Sequence, residues 1–174
     1  MDNIQLPNGY TLASRSLWKP AYPNDRPPMP IPARRVFIHH TVTPTTVDPC
    51  HDMRVVERAL RSNGRLDPGY SFTVHPSGVV LEGAGHKVGK HTMNHNSTSY
   101  GIALIGNYQI NQPTLAQIIA VSRTINLLRV GGHLVLNGAE DIDPHKDVYP
   151  TACPCINVLG RNLDFIRWFT FNPV

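Results

Sequence analysis

Two donors of the kind that bind transition metals, His145 and Cys153, stand close together on the proline-stiffened run Asp143-Pro144-His145-Lys146-Asp147-Val148-Tyr149-Pro150-Thr151-Ala152-Cys153-Pro154. An imidazole and a thiol held this way suit one zinc ion, which favours borderline-soft nitrogen and sulfur ligands. Zinc needs at least one more protein ligand. A candidate stands far upstream: His39, at the end of the apolar run Val36-Phe37-Ile38 and beside His40 and Thr41. Three protein ligands with a fourth position left to water describe a catalytic zinc, and so a hydrolase.

The periodicities along the chain are those of one α/β domain. Seven of the 16 prolines fall in the first 34 residues (Pro7, Pro20, Pro23, Pro27, Pro28, Pro30, Pro32), so residues 1–34 read as an extended Pro-rich N-terminal arm anchored by Leu17-Trp18. The domain proper is expected over 35–174. Arg35 to Thr41 is β-branched and aromatic and reads as a buried strand. Asp48-Pro49 starts a helix carrying Met53, Val56 and Leu60, stopped by Asn63-Gly64. Tyr70 to Val74 and Val79 to Glu82 flank the turn Pro76-Ser77-Gly78 as a hairpin, and Tyr100 to Ile105 is a further strand. Thr114 and Gln117 have capping-box spacing before a helix ending at Gly131-Gly132. A last amphipathic helix is expected to carry Ile156, Leu159, Leu163 and Ile166. Strands interleaved with about three helices predict a central mixed sheet packed by those helices.

Composition excludes several classes. The formal charge is +4, but Lys and Arg are scattered without a run, so no nucleic-acid partner is expected. No stretch is long and apolar enough for membrane insertion, and residues 1–7 lack the two regions of a signal peptide. Three cysteines are not a disulfide framework. With Cys153 as a ligand, Cys50 and Cys155 are left over, and without an export signal two inert thiols are the expectation.

Zinc of this kind lowers the pKa of its water toward ~7 and polarises a carbonyl. Amide hydrolysis then needs a proton shuttle and a donor for the tetrahedral oxyanion. Tyr70 has a phenol suited to either role, and Thr151, two residues before Cys153, has a hydroxyl suited to the second. Strand alternation turns His39 and His40 to opposite faces, so at most one of them meets the metal; alternation alone does not choose. The polar loop from Lys90 to Ser99 is dense in hydrogen-bonding groups and suits a sugar or peptide.

Read in order, these segments resemble the zinc-dependent N-acetylmuramoyl-L-alanine amidases of the amidase-2 and peptidoglycan recognition protein family, which includes phage endolysins. The resemblance is carried by Arg15-Ser16-Leu17-Trp18, Val36-Phe37-Ile38-His39-His40-Thr41, Gly69-Tyr70-Ser71-Phe72 and Ser77-Gly78-Val79-Val80-Leu81-Glu82-Gly83. It continues in Val88-Gly89-Lys90-His91, in Asn96 with Ser99 through Tyr108, and in His145-Lys146-Asp147-Val148 with Thr151-Ala152-Cys153-Pro154. It implies one zinc per chain, held by His39, His145 and Cys153, with Tyr70 and Thr151 as catalytic auxiliaries and His91 and Asn96 in the substrate groove. The implied reaction is cleavage of the amide between N-acetylmuramic acid and L-alanine of the peptidoglycan stem peptide.

Three departures stand out. Thr151 stands where some phage members carry Lys, Cys155 stands where Gly is usual, and Cys50 stands alone where the family has a cysteine pair. The lack of a signal peptide and of an appended wall-binding domain suits a phage endolysin made in the cytoplasm and acting on the wall after release through a holin, or the catalytic part of a longer lysin; a monomer is expected. Two other readings remain open: a peptidoglycan-binding module without turnover, and a structural zinc domain closed by Cys155 as fourth ligand.

Overall fold

The computed structural model describes residues 3–6, 10–62 and 69–173. Seven strands build one mixed sheet: β1 (Asn3–Leu6), β2 (Tyr10–Ala13), β3 (Arg35–His40), β4 (Phe72–Val74), β5 (Val80–Glu82), β6 (Ser99–Leu104) and β7 (Ile142–Pro144). Their spatial order is β1-β2-β5-β4-β6-β3-β7. The β1–β2 and β4–β5 pairs are antiparallel, and the others are parallel. Central strands β3 and β6 are buried along nearly their whole length, as expected of parallel strands covered on both faces.

The helices divide between those faces. Helix α1 (Arg15–Trp18) and α2 (Pro49–Ser62) cover one side, where Trp18, Met53, Val56, Tyr70, Leu81, Ala103 and Ile105 form a core. Helix α3 (Leu115–Val130) and α4 (Arg161–Phe171) cover the other, over Val36, Ile38, Tyr100, Ile102, Leu104 and Ile142. The period-two alternation of β3 therefore sends Val36 and Ile38 toward α3 and α4 and His40 to the same face, and sends Phe37 and His39 to the opposite face, against His91, His95 and Tyr70.

Helix starts follow their caps. Asp48 Oδ1 accepts the backbone N–H groups of Cys50 and His51 at 2.9 and 3.0 Å. Thr114 Oγ1 accepts from Gln117 N at 3.1 Å. The expected stop at Asn63-Gly64 lies outside the described residues. The β4–β5 turn closes through Gly78, whose φ of +87° is the left-handed region that favours glycine. Among the described residues, no helix is long and apolar enough to cross a membrane.

Two expectations are corrected. The stretch 1–34 is not extended throughout: β2 joins the sheet beside β5, and α1 is a helical turn. Its anchor is as expected, since Trp18 is fully buried and its Nε1 donates to Glu82 O at 2.8 Å. The prolines act further on. From 19 to 34 the chain has only isolated bridges, at Pro28 and Ala33. The last helix starts at Arg161, not near Ile156. Gly160 has φ +60°, which breaks the helix, and Ile156 is 74% exposed. Its apolar spacing with Leu163 comes from a turn followed by a helix.

Candidate metal centre

The site lies at the C-terminal rim of the parallel strands, where open α/β sheets gather ligands. Parallel pairing sets Ile38 opposite Pro144, so the next residue of each strand, His39 and His145, emerge side by side. Their ring centroids are 4.5 Å apart. The Arg35 guanidinium fixes this register from the other end of β3, donating through Nε (3.0 Å) and Nη2 (2.5 Å) to Asp143 Oδ2. A single 3-10 turn (His145–Asp147) then leads the chain into the loop, which Lys146 N closes by donating to Cys153 O at 2.9 Å.

This closure brings Cys153 Sγ to 3.7 Å from His39 Nδ1. Two ligand atoms on a tetrahedral zinc, with Zn–N near 2.0 Å and Zn–S near 2.3 Å, are about 3.5 Å apart. Donor atoms of His39, His145 and Cys153 all lie within 4.8 Å of one another, the one such cluster of three among the described residues. His40 N–H points at the sulfur from 3.4 Å, a contact that favours a thiolate there. Burial pushes the Cys153 thiol up to about 12, the His40 N–H opposing it, and a coordinated cation reverses such a shift by deprotonating the thiol outright. The residues present thus fit a zinc ion in distance and donor type.

The His40 ring and the Cys155 thiol stay apart from this cluster. Cys155 Sγ lies 3.2 Å from His40 Nε2 on the α3–α4 face, and His40 Nδ1 accepts from Tyr108 N at 3.3 Å. Burial lowers His40 to about 4, so it stands there as a neutral ring. The four-ligand closed site considered from the sequence is not the arrangement formed. All three cysteines are free thiols.

Tyr70 packs beside the donors. It is 7% exposed, its ring centroid is 5.2 Å from that of His39, and its hydroxyl reaches His40 O at 3.5 Å. Thr151 lies in the loop itself, its Oγ1 accepting Cys153 N–H at 3.2 Å, which shapes the approach of the cysteine. A cleft of about 280 Å³ opens beside His145, lined by Lys90, His91, Thr92, Met93, Asn96 and Tyr149.

The two residues expected in the groove sit differently from an open binding surface. His91 is 3% exposed, with Nδ1 at Thr92 Oγ1 and Nε2 at Ser99 O, and burial lowers it to about 4. Asn96 spends its Oδ1 on the backbone N–H groups of His91 and Thr92, both at 2.9 Å. Sequence reasoning missed Thr92, whose hydroxyl lies 3.4 Å from His39 Nε2, and Tyr149, whose ring stacks on His145 at 5.5 Å. Tyr149 had a local signal, because it lies inside the His145–Cys153 loop. Thr92 had none.

An α/β domain with a His–His–Cys donor set at one sheet rim is the class that fold and site define. The sequence model of the N-acetylmuramoyl-L-alanine amidase family (Amidase_2) matches residues 28–156, and the chain belongs to that family. It is 33% identical over 171 residues to a peptidoglycan-recognition protein of Drosophila melanogaster, covering 92% of each chain. It is 36% identical over 150 residues to an N-acetylmuramoyl-L-alanine amidase of Sus scrofa, covering 80% of this chain and 25% of that one. Its fold matches a tyrosine-to-phenylalanine mutant of Drosophila PGRP-LB, solved in complex with tracheal cytotoxin, with TM-score 0.74, 29% identity and 83% and 88% of the two chains covered.

Proposed function

We propose that this chain is a zinc-dependent N-acetylmuramoyl-L-alanine amidase, with peptidoglycan as substrate. The observation that carries the reading is the convergence of His39, His145 and Cys153 on one point beside an open cleft. Zinc held by these three residues would act as a Lewis acid, acidifying water and polarising an amide carbonyl. The chain's own groups do the rest. Tyr70 sits against His39 with its phenol beside the β3 rim, within reach of the reacting amide as a hydrogen-bond donor or proton relay. Thr151 Oγ1 already accepts from Cys153 N, so its own proton remains available to a developing oxyanion, as a neutral donor. Tyr149 and Met93 give the cleft apolar walls, and Lys90 a cationic rim, a mixture suited to a stem peptide. The tracheal cytotoxin complex of PGRP-LB supports a peptidoglycan fragment as ligand.

Incubation of the zinc-loaded chain with purified sacculi tests this. Soluble peptides beginning at L-alanine, read by mass spectrometry and matched by intact muramic acid on the glycan, are the expected products. Binding to sacculi without product would instead support the second reading, a recognition module, which is how the Drosophila melanogaster relative is named. If intact sacculi are cut, their suspensions also lose turbidity, the bacteriolytic outcome of an endolysin.

A further inference from the structure

A single hydrogen-bonded line runs behind His39. His39 Nδ1 faces Cys153 Sγ, and its Nε2 lies 3.4 Å from Thr92 Oγ1. Thr92 Oγ1 is in turn 3.0 Å from His91 Nδ1, and His91 Nε2 is 3.2 Å from Ser99 O. Thr92 and His91 are 1% and 3% exposed, so the line is largely screened from solvent.

The far end sets the direction of every bond. A backbone carbonyl only accepts, so His91 Nε2 carries the proton, and in a neutral ring Nδ1 is then an acceptor. The Thr92 hydroxyl donates to that acceptor, which leaves its oxygen lone pairs toward His39. His39 Nε2 must therefore be the N–H nitrogen, and its lone pair is on Nδ1, the atom facing Cys153.

We propose that Thr92 and His91 are positioning residues which hold His39 in the tautomer and ring orientation that present Nδ1 to the metal. Ligating histidines are generally held this way through their second nitrogen. Two further features build the same seat. Asn96 Oδ1 ties down the backbone N–H groups of both residues. Gly101 of β6 makes room for the ring, since a Cβ there would stand 2.3 Å from His91 Cγ. Side-chain bulk at this one point of β6 would push the imidazole out of line.

This inference rests on the zinc reading, and the test separates the two. Zinc affinity is measured by chelator competition for the wild-type chain, Thr92→Val and Thr92→Ser. Thr92→Val keeps the volume and removes the hydroxyl, and it should weaken zinc by about 10–100-fold, whereas Thr92→Ser should stay near wild type. Nitrogen-15 histidine spectra of the zinc-loaded wild-type chain, which need no variant, should show His39 and His91 both protonated at Nε2. Wild-type affinity in Thr92→Val, or His91 protonated at Nδ1, would overturn the relay and leave the metal reading standing. A wild-type chain that takes up no zinc would overturn both.

Discussion

Cys155 Sγ lies 3.2 Å from His40 Nε2, on the opposite face of β3 from the His39–Cys153 pair. Two adjacent histidines and two nearly adjacent cysteines are sorted into two pairs by the alternation of a single strand. One pair joins His145, which lines the cleft, and the other meets the packed side of the sheet.

That division makes the two cysteines separable. Cys153→Ser should lose zinc and amide hydrolysis together while keeping its far-ultraviolet circular dichroism spectrum. Cys155→Gly should keep one zinc per chain, measured by atomic absorption. Cys155 has φ +73°, so glycine relieves about 1–2 kcal/mol of left-handed strain, which offsets a buried contact of about 1–3 kcal/mol with His40. The net change in unfolding free energy should stay within about 2 kcal/mol.

Tyr70→Phe removes one oxygen and leaves the ring packed on His39. Zinc content should be unchanged, while turnover on muropeptides falls by about 10²-fold or more if the phenol relays a proton. Turnover equal to wild type would remove Tyr70 from the mechanism.

Trp18→Ala should be among the most destabilising single changes. The side chain is fully buried between α1 and the sheet, with its N–H satisfied by Glu82 O. Emptying that space costs about 3–5 kcal/mol, read as a lower urea midpoint.

Stability should fall on mild acidification. Burial draws His86 below its ordinary value of 6.5, and His133, stacked 4.1 Å away, adds repulsion that Glu82 only partly offsets. The unfolded chain therefore binds a proton near 6.5 and the folded chain only at lower pH. The contribution is complete above about pH 6.5 and is lost as the pH falls toward the folded value. His86→Phe keeps a ring against Phe72 and Tyr100 and should lessen the fall of the urea midpoint between about pH 7 and about pH 5 without abolishing it, since burial also lowers His40 and His91 to about 4.

Much of this was legible in the chain itself. The apolar run Val36-Phe37-Ile38 announced a buried central strand, and Asp48 and Thr114 announced helix starts, because caps and alternation are local chemistry. His145 and Cys153 were legible as a donor pair because an imidazole and a thiol share one stiff loop, whereas His39 was singled out from His40 only by the family resemblance. The start of α4 was misjudged because Ile156, Leu159 and Leu163 keep a helical spacing across a turn. Gly160, in left-handed conformation, was the residue that decided it.

What the sequence determined by itself is therefore the His145–Cys153 loop, the strand that carries a third donor, and the alternation that lets His39 or His40, but not both, join them. The tertiary structure decided which. Parallel pairing of Ile38 with Pro144 puts His145 beside His39, loop closure brings in Cys153, and Thr92, far from His39 along the chain, selects the ring nitrogen that faces the cluster. The reason is physical: caps and strand periods arise from neighbours along the chain. A metal site and its hydrogen-bonded backing arise from contacts between distant segments, fixed only when the two faces of the sheet are packed.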